Sequence, residues 1–328
     1  MTRAETERKY WLGFDLGGTK MFAAVFDAGF RIAGSRRRKT KHTDATSGVA
    51  RLVETMDDAL ADAGLRREQL GGIGMAVPGM LDLDRGVLLH APNLGWRKVA
   101  LKAKLEAEYH VPVALANDVD AGTYGEYRFG AGKRARCVVG VFPGTGIGGG
   151  CVYEGRLLRG RVGSCMEIGH VPVQPRGLLC GCGRRGCLET VASRLAISAE
   201  LAQAAYRGDA PHLRDAVGTD LAAIRSHAIR EAIEAGDKAV ERIVRHAARQ
   251  IGWVLIGVVH LLAPDTIVLG GGLVEEMEEL FVDEIRDAVV GGVTSAFEGT
   301  FRIVAAELGD QATAMGAAAL VAETAGAA

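Results

Sequence analysis

Three cysteines fall within eight residues in the stretch 170–189, "HVPVQPRGLLCGCGRRGCLE", spaced C-x-C-x4-C, with a histidine ten residues before the first. Half of the chain's six cysteines are here. C-x-C lacks the two-residue spacer of thioredoxin-type redox motifs. The flanking glycines and arginines are a non-core composition, which counts against inert buried thiols. Cys180, Cys182, Cys187 and His170 instead make a Cys3His set suited to tetrahedral zinc. With four protein ligands no position stays open, so such a zinc would be structural. Metal bonds at the two ends would clamp a Pro- and Gly-rich loop, and with it Glu167 and Glu189.

Two glycine-rich turns could do phosphate chemistry. "GFDLGGTKMFAAVFD" begins at Gly13 and "GVFPGTGIGGGCVYE" at Gly140. In each, an apolar run, a glycine turn and a second apolar run predict a β-hairpin. Glycine lets backbone N–H groups close on an oxyanion. In the first turn Gly17 and Gly18 form the cradle, Asp15 can hold a hydrated Mg2+, Thr19 can donate and Lys20 can offset charge. Gly144, Thr145 and Gly146 form the second. A tight hairpin turn explains either alone; two at equivalent places favour phosphate and suggest two related halves. A P-loop is excluded, because G-x4-G-K-[ST] is missing and a strand follows "GGTK". Residues 144–149 spell G-x-G-x-x-G, with Glu167 near the spacing of a ribose-binding acid. A dinucleotide site needs a helix to open there, and "GGGCVYEG" is a poor helix start. An NAD-dependent dehydrogenase thus ranks well below a nucleotide-phosphate reading.

Asn117 and Asp118 follow the apolar run "VPVALA", at the carboxyl end of an expected strand, where α/β proteins bind ligands. Asp118 could accept a proton from a substrate hydroxyl, or it could simply cap a helix starting near Asp120. Glu167, His170 and Glu189 add groups suited to a polyhydroxylated ligand.

The elements that must hold these groups alternate. Helical periodicity marks residues 49–63, 100–110, 188–206, 237–262 and 273–290, and strands are expected at 71–79, 111–118 and 265–272. That alternation predicts α/β layers with mixed sheets. At 328 residues the chain is long enough for two domains. Its 39 basic and 40 acidic residues nearly cancel, which excludes a nucleic-acid binder with a basic face. The one basic cluster, "RRRK" at 36–39, reads as a solvated strand edge. No run of 18 apolar residues exists and "MTRAETERKYW" has no signal core, so no membrane partner and a cytoplasmic location are expected. Disorder is expected only at the "AETAGAA" tail.

"DLGGTK", "PNLGW", "ND", "GTGIGGG", "EIGH" and "CGCGRRGCLE" stand in an order and spacing that resemble the ROK family of sugar kinases and repressors, over nearly the whole chain. The resemblance implies a two-domain actin-like, ribonuclease-H-type α/β fold with an interdomain cleft. Its domains would be 1–117 plus about 310–328, and 118–309. It implies Asp118 as general base, and Asn117, Glu167, His170, Glu189, Gly79 and Asn93 on the sugar. Gly270, Gly271 and Gly272 would lie beside the adenosine, and His170 with the three cysteines would hold structural Zn2+. Expected cofactors are ATP and Mg2+, with polyphosphate as the other donor, and expected partners are a sugar and a second copy of the chain, as dimer or tetramer. Two departures bear on the pocket: Asp120 replaces an asparagine of the usual "NDAN", and Cys165 and Met166 precede "EIGH" where small residues are usual. Family repressors carry an N-terminal helix-turn-helix, for which there is no room before "DLGGTK". The reading is an ATP-dependent hexokinase, a glucokinase before a kinase for N-acetylglucosamine, N-acetylmannosamine or fructose. A non-catalytic sugar sensor is the remaining rival.

Overall fold

A computed structural model describes residues 10–40, 44–161, 163 and 165–326. The charged amino terminus and the last two residues of the tail lie outside the described residues; the rest of the tail is helical, not disordered. The chain divides into two compact units, Met1–Lys133 with Arg156–Cys165 and Asp310–Ala328, and Arg134–Gly155 with Met166–Gly309.

The first unit opens with the expected hairpin, β1 (Tyr10–Leu16) and β2 (Lys20–Phe26), followed by β3 (Ile32–Lys39) and α1 (Ala45–Asp62). Next come β4 (Leu70–Val77), β5 (Met80–Asp82), β6 (Val87–Ala91), β7 (Trp96–Val99), α2 (Leu101–Tyr109), β8 (Val113–Asn117) and α3 (Asp118–Phe129). The main sheet runs β3-β2-β1-β4-β8, while β5, β6 and β7 form a small sheet of their own. β1 pairs antiparallel with β2 and parallel with β4, which is parallel to β8. This is the mixed order of a ribonuclease-H-type sheet. α1 buries Leu52, Met56, Ala59 and Leu60, the helical spacing that covers one face, in one core cluster with Phe14, Met21 and Met75 of the sheet. The basic cluster lies on the edge strand, where Arg38 is held by Glu54 and Asp58 and Arg37 by Asp310.

The last helix of the chain belongs to this unit. The segment Arg156–Cys165, which carries β11 (Arg156–Leu157), is counted with this unit, and the chain closes with Ala312–Gly326. That closing helix is made mostly of small residues, and it lies backbone to backbone on the sheet and on α3. A Cβ on Gly74 would sit 1.8 Å from Ala317 O, and one on Gly316 1.8 Å from Ala121 O. The same approach carries the first compact unit past residue 117. α3 packs on the closing helix, so the first unit continues to Lys133.

The second unit repeats the motif. β9 (Cys137–Pro143) and β10 (Ile147–Tyr153) are the second hairpin. After it come α4 (Glu189–Ala192), α5 (Arg194–Arg207), α6 (Pro211–Val217), α7 (Ser226–Glu234), α8 (Lys238–Leu262), β12 (Thr266–Leu269), α9 (Gly272–Glu276), α10 (Glu278–Val290) and β13 (Arg302–Ala305); the closing helix is α11. β9 is antiparallel to β10 and parallel to β12, which is parallel to β13, so the polarity of β2-β1-β4-β8 recurs. The G-x-G-x-x-G at 144–149 therefore runs into a strand, not a helix, and the dinucleotide reading fails. Two expected helices are each broken in two. The 188–206 pattern stops at Ser193, whose extended backbone and side chain cap α5. The 273–290 pattern breaks at Met277, between α9 and α10.

Candidate active site

In the first unit the singled-out residues gather at the carboxyl ends of the parallel strands, the edge where such sheets bind ligands. Asp15 on β1 pairs with Ala76, and Ala76 with Ala116, so Asn117 and Asp118 come one and two residues beyond Asp15's level. Burial pushes the Asp15 carboxyl up to about 7, with the charges of Asp118 and Asp310 adding and Arg37 opposing. Three acids crowded this way are a hard-oxygen donor set that a divalent cation such as Mg2+ would relieve.

Gly17, Gly18 and Thr19 form the turn, and Lys20 begins β2 with its side chain exposed. Thr40 fixes this turn from outside: its Oγ1 donates to Gly17 O at 2.7 Å and its N to Thr19 O at 2.8 Å. A Cβ on Gly18 would lie 3.4 Å from Asn93 Cβ, so Asn93 stands beside the first loop. Gly79 turns the chain from β4 into β5 at φ +100, where a Cβ would meet His90 O at 2.3 Å.

The α3 cap is Asn117, not Asp118. Asn117 Oδ1 accepts from Val119 N at 2.9 Å and from Asp120 N at 3.4 Å. Its oxygen is committed to the helix, which leaves the amide hydrogens to face a ligand. Asp118 is the first helical residue, with its Oδ1 3.1 Å from Val119 N. Asp120, the departure from "NDAN", is buried.

In the second unit the two other glycine clusters share one sheet edge. Val141 of β9 pairs with Leu269 of β12, so Gly270 leaves the sheet at the level of Phe142, two residues before Gly144, and Gly270 N donates to Val141 O at 3.0 Å. Gly271, at φ +82, packs against the backbone of Pro143 and caps α9, which Gly272 begins.

The Gly144–Thr145–Gly146 loop is clasped by the segment that carries Glu189 and Arg194. Glu189 Oε2 accepts from Ile147 N at 3.0 Å, and Arg194 N donates to Gly144 O at 2.8 Å. Arg194 Nη2 donates to Thr145 Oγ1 at 3.1 Å. These bonds require the break at Ser193, which turns the chain so that the first residue of α5 reaches the loop.

The cysteine knot is assembled. One ligand atom each from His170, Cys180, Cys182 and Cys187 lies within 4.8 Å of all the others. Cys180 Sγ is 3.6 Å from His170 Nδ1, and Cys182 Sγ is 3.7 Å from Cys187 Sγ. A zinc–thiolate tetrahedron with bonds of about 2.3 Å has sulfur–sulfur edges of about 3.8 Å, so the donors are spaced for one ion. Burial pushes the Cys180 thiol up to about 12, and a metal is what would hold it as thiolate. Cys180 N donates to Arg184 O at 2.7 Å and Gly186 N to Leu178 O at 2.9 Å, so the backbone folds the knuckle as well. Because Nδ1 faces the sulfurs, only Nε2 of His170 is left for a second partner. Glu167 is exposed and follows Met166, whose φ of +57 puts a non-glycine residue in the left-handed region.

The ROK family profile matches residues 11–324. The chain belongs to the ROK family. The glucokinase of Streptomyces coelicolor is 35% identical over 321 residues, covering 95% of this chain and 97% of that protein. The glucokinase of Thermotoga maritima is 32% identical over 316 residues, covering 96% and 98%. Among solved structures, a ROK family glucokinase from Streptomyces griseus in complex with glucose and AMPPNP superposes with a TM-score of 0.82 at 35% identity, covering 95% of this chain and 98% of that one. The resemblance to glucokinase-like ROK sugar kinases is thereby borne out, and with it the two-domain actin-like fold.

Three ROK-site neighbours were not singled out from sequence: Thr40, Asp310 and Arg194. Thr40 and Asp310 act across long sequence separations and leave no local signal. Arg194 did leave one. It follows a serine that reads as a helix cap, and a cation in a first helical turn opposes the helix dipole.

Proposed function

We propose that the chain transfers the terminal phosphoryl group of ATP to a hydroxyl of glucose, the 6-OH, with Asp118 as general base. The carrying observation is that Asn117 caps α3, so the structural role that competed for Asp118 is filled by its neighbour. Asp118 stands where parallel strands end, one strand-end from the first glycine turn, and can take the proton as the oxygen attacks. The glycine turns at Gly17–Gly18 and Gly144–Gly146 offer backbone donors to phosphate oxygens, with Thr19, Lys20 and Thr145 adding side chains. Phosphoryl transfer relies mainly on such positioning and charge. Asp15 would hold Mg2+, which when bound neutralises phosphate charge. Gly270, Gly271 and Gly272 are assigned to the adenosine, and Asn93, Asn117, Gly79, Glu167, Glu189 and His170 Nε2 to sugar hydroxyls. The Cys3His set would hold one structural zinc.

The relatives named glucokinase support ATP and glucose as substrates. A cytoplasmic location is part of the proposal; separately, no helix among the described residues is long and apolar enough to cross a membrane. Exposed Trp253 and Leu261 on α8 support the proposed homo-oligomer, which light scattering would check. The test of the reading is Asp118→Asn in a coupled ADP-release assay. The expected loss in kcat is about 10²–10⁴ with sugar binding retained; near-normal turnover would remove Asp118 from the chemistry.

A further inference from the structure

We propose that Arg194 is a phosphate-contacting residue of the second glycine loop, whose guanidinium takes the oligophosphate tail of the phosphoryl donor. The inference rests on the kinase reading above and goes beyond its glycines and threonine.

Arg194 is tied to the loop at two points, through its backbone N on Gly144 O at 2.8 Å and through Nη2 on Thr145 Oγ1 at 3.1 Å. Because the threonine oxygen accepts from the arginine, its own O–H is turned away and can donate to a ligand. A guanidinium carries five N–H donors, and among the described residues Thr145 Oγ1 is the one acceptor its side chain finds. No carboxylate among the described residues pairs with it. Most other half-buried arginines among the described residues are compensated by carboxylates: Arg67 by Asp57 and Glu108, Arg230 by Glu234 and Glu276, Arg245 by Glu241 and Glu284. Arg51, whose Nη2 reaches Lys39 O at 3.3 Å, is the other exception, and it lies on α1.

Three physical terms oppose a cation at this position. Arg194 is half-buried, so its charge loses hydration, and the charged group that most perturbs it is another cation, Arg225. It is also the first residue of a 14-residue helix, at the positive end of the helix dipole. Burial without a counter-charge is costly. An anion seated on the loop would reverse all three at once, since guanidinium, helix end and loop amides all favour negative charge. A linear oligophosphate is the anion whose length suits several donors in a row, and the bidentate fork of arginine matches phosphate geometry.

Calorimetric titration of wild type, Arg194→Gln, Arg194→Lys and Arg225→Gln with AMPPNP, inorganic tripolyphosphate and adenosine tests the proposal. Arg194→Gln is expected to weaken AMPPNP binding about tenfold or more, the loss typical of a charged hydrogen bond. Adenosine binding stays unchanged, and the melting temperature of the free protein holds or rises, since an uncompensated charge is removed. Arg194→Lys keeps the charge without the fork and falls in between, and Arg225→Gln gives a smaller loss that salt abolishes. Equal weakening of tripolyphosphate identifies a contact to any phosphate chain; weakening of AMPPNP alone identifies a tail positioned by its nucleoside. Either supports the role. Unchanged AMPPNP affinity in Arg194→Gln, or an equal loss for adenosine, overturns it while leaving the kinase reading intact. Failure of the wild type to bind AMPPNP overturns both.

Discussion

Asp15 binds a proton more tightly in the folded protein than in the unfolded chain, because its carboxyl is raised to about 7 by burial, Asp118 and Asp310. The stability this supplies is complete below the ordinary carboxylate range and is lost as pH rises through about 7. Metal-free wild type should therefore lose stability between about pH 4 and pH 7 through this group, and Asp15→Asn should flatten that slope and be the more stable protein at pH 7.5. Urea unfolding at several pH values in chelator measures it; parallel curves for the two proteins would contradict the crowding of the three acids. Asn117 shows the same economy of atoms. Its oxygen serves the helix and its amide hydrogens remain for a sugar, so Asn117→Asp should keep the cap yet weaken sugar binding. Equal sugar KM values for the two proteins would count against an amide contact.

Between residues and the whole chain stand the segments that hold them. Glu189 links two of these: its Oε2 accepts from Ile147 N beside the second glycine loop, and its Oε1 lies 3.8 Å from Cys180 Sγ. Sequence pattern assigned it to sugar hydroxyls alone. The added contact predicts that Glu189→Ala raises the KM for ATP as well as for sugar, whereas a residue on the sugar alone would move only the latter. The Cys3His knuckle is expected to carry about one equivalent of zinc in protein purified without added metal, by metal analysis. Cys182→Ser should lower the melting temperature and raise sugar KM more than it lowers kcat, since the loop is loosened and the base is untouched. Full activity with no bound metal would remove the clamp.

At the scale of the molecule, each unit depends on small residues where backbones touch. Gly316→Val would drive a side chain into Ala121 O, which a Cβ alone approaches to 1.8 Å. A destabilisation of about 1–3 kcal/mol or more is expected from such overpacking, read by chemical denaturation. A neutral result would mean α11 does not lie on α3 as described. Substrate choice also belongs to this scale, because it sums many contacts. Glucose is expected to show a higher kcat/KM than N-acetylglucosamine, N-acetylmannosamine or fructose in competition at equal concentrations. A site built to hydrogen-bond a hydroxyl discriminates against a ligand that leaves its groups unpaired. Preference for an N-acetylated sugar would sink glucose while leaving the phosphoryl transfer in place.

Local pattern was enough for whatever is decided locally. The two glycine hairpins, the strand ending at Asn117, the helices at 49–63 and 237–262 and the C-x-C-x4-C knot are all short-range, since apolar periodicity, turn residues and ligand spacing act over a few positions. Seeing the hairpin twice revealed two related halves, but the strand order of their sheets came only from the folded chain. Tertiary contact decided the rest. A continuous helical pattern at 188–206 could not reveal that Ser193 breaks it, because the break is stabilised by Arg194 reaching Gly144 O some 50 residues earlier in the chain. The first compact unit runs to Lys133 because α3 finds α11, at the far end of the sequence. Asp118 was released from capping by the φ and ψ of its neighbour. Arg37, Asp310 and Asp15 share one electrostatic environment although nearly the whole chain separates Asp310 from the other two. Fields and packing depend on distance in space, and only the folded chain sets those distances.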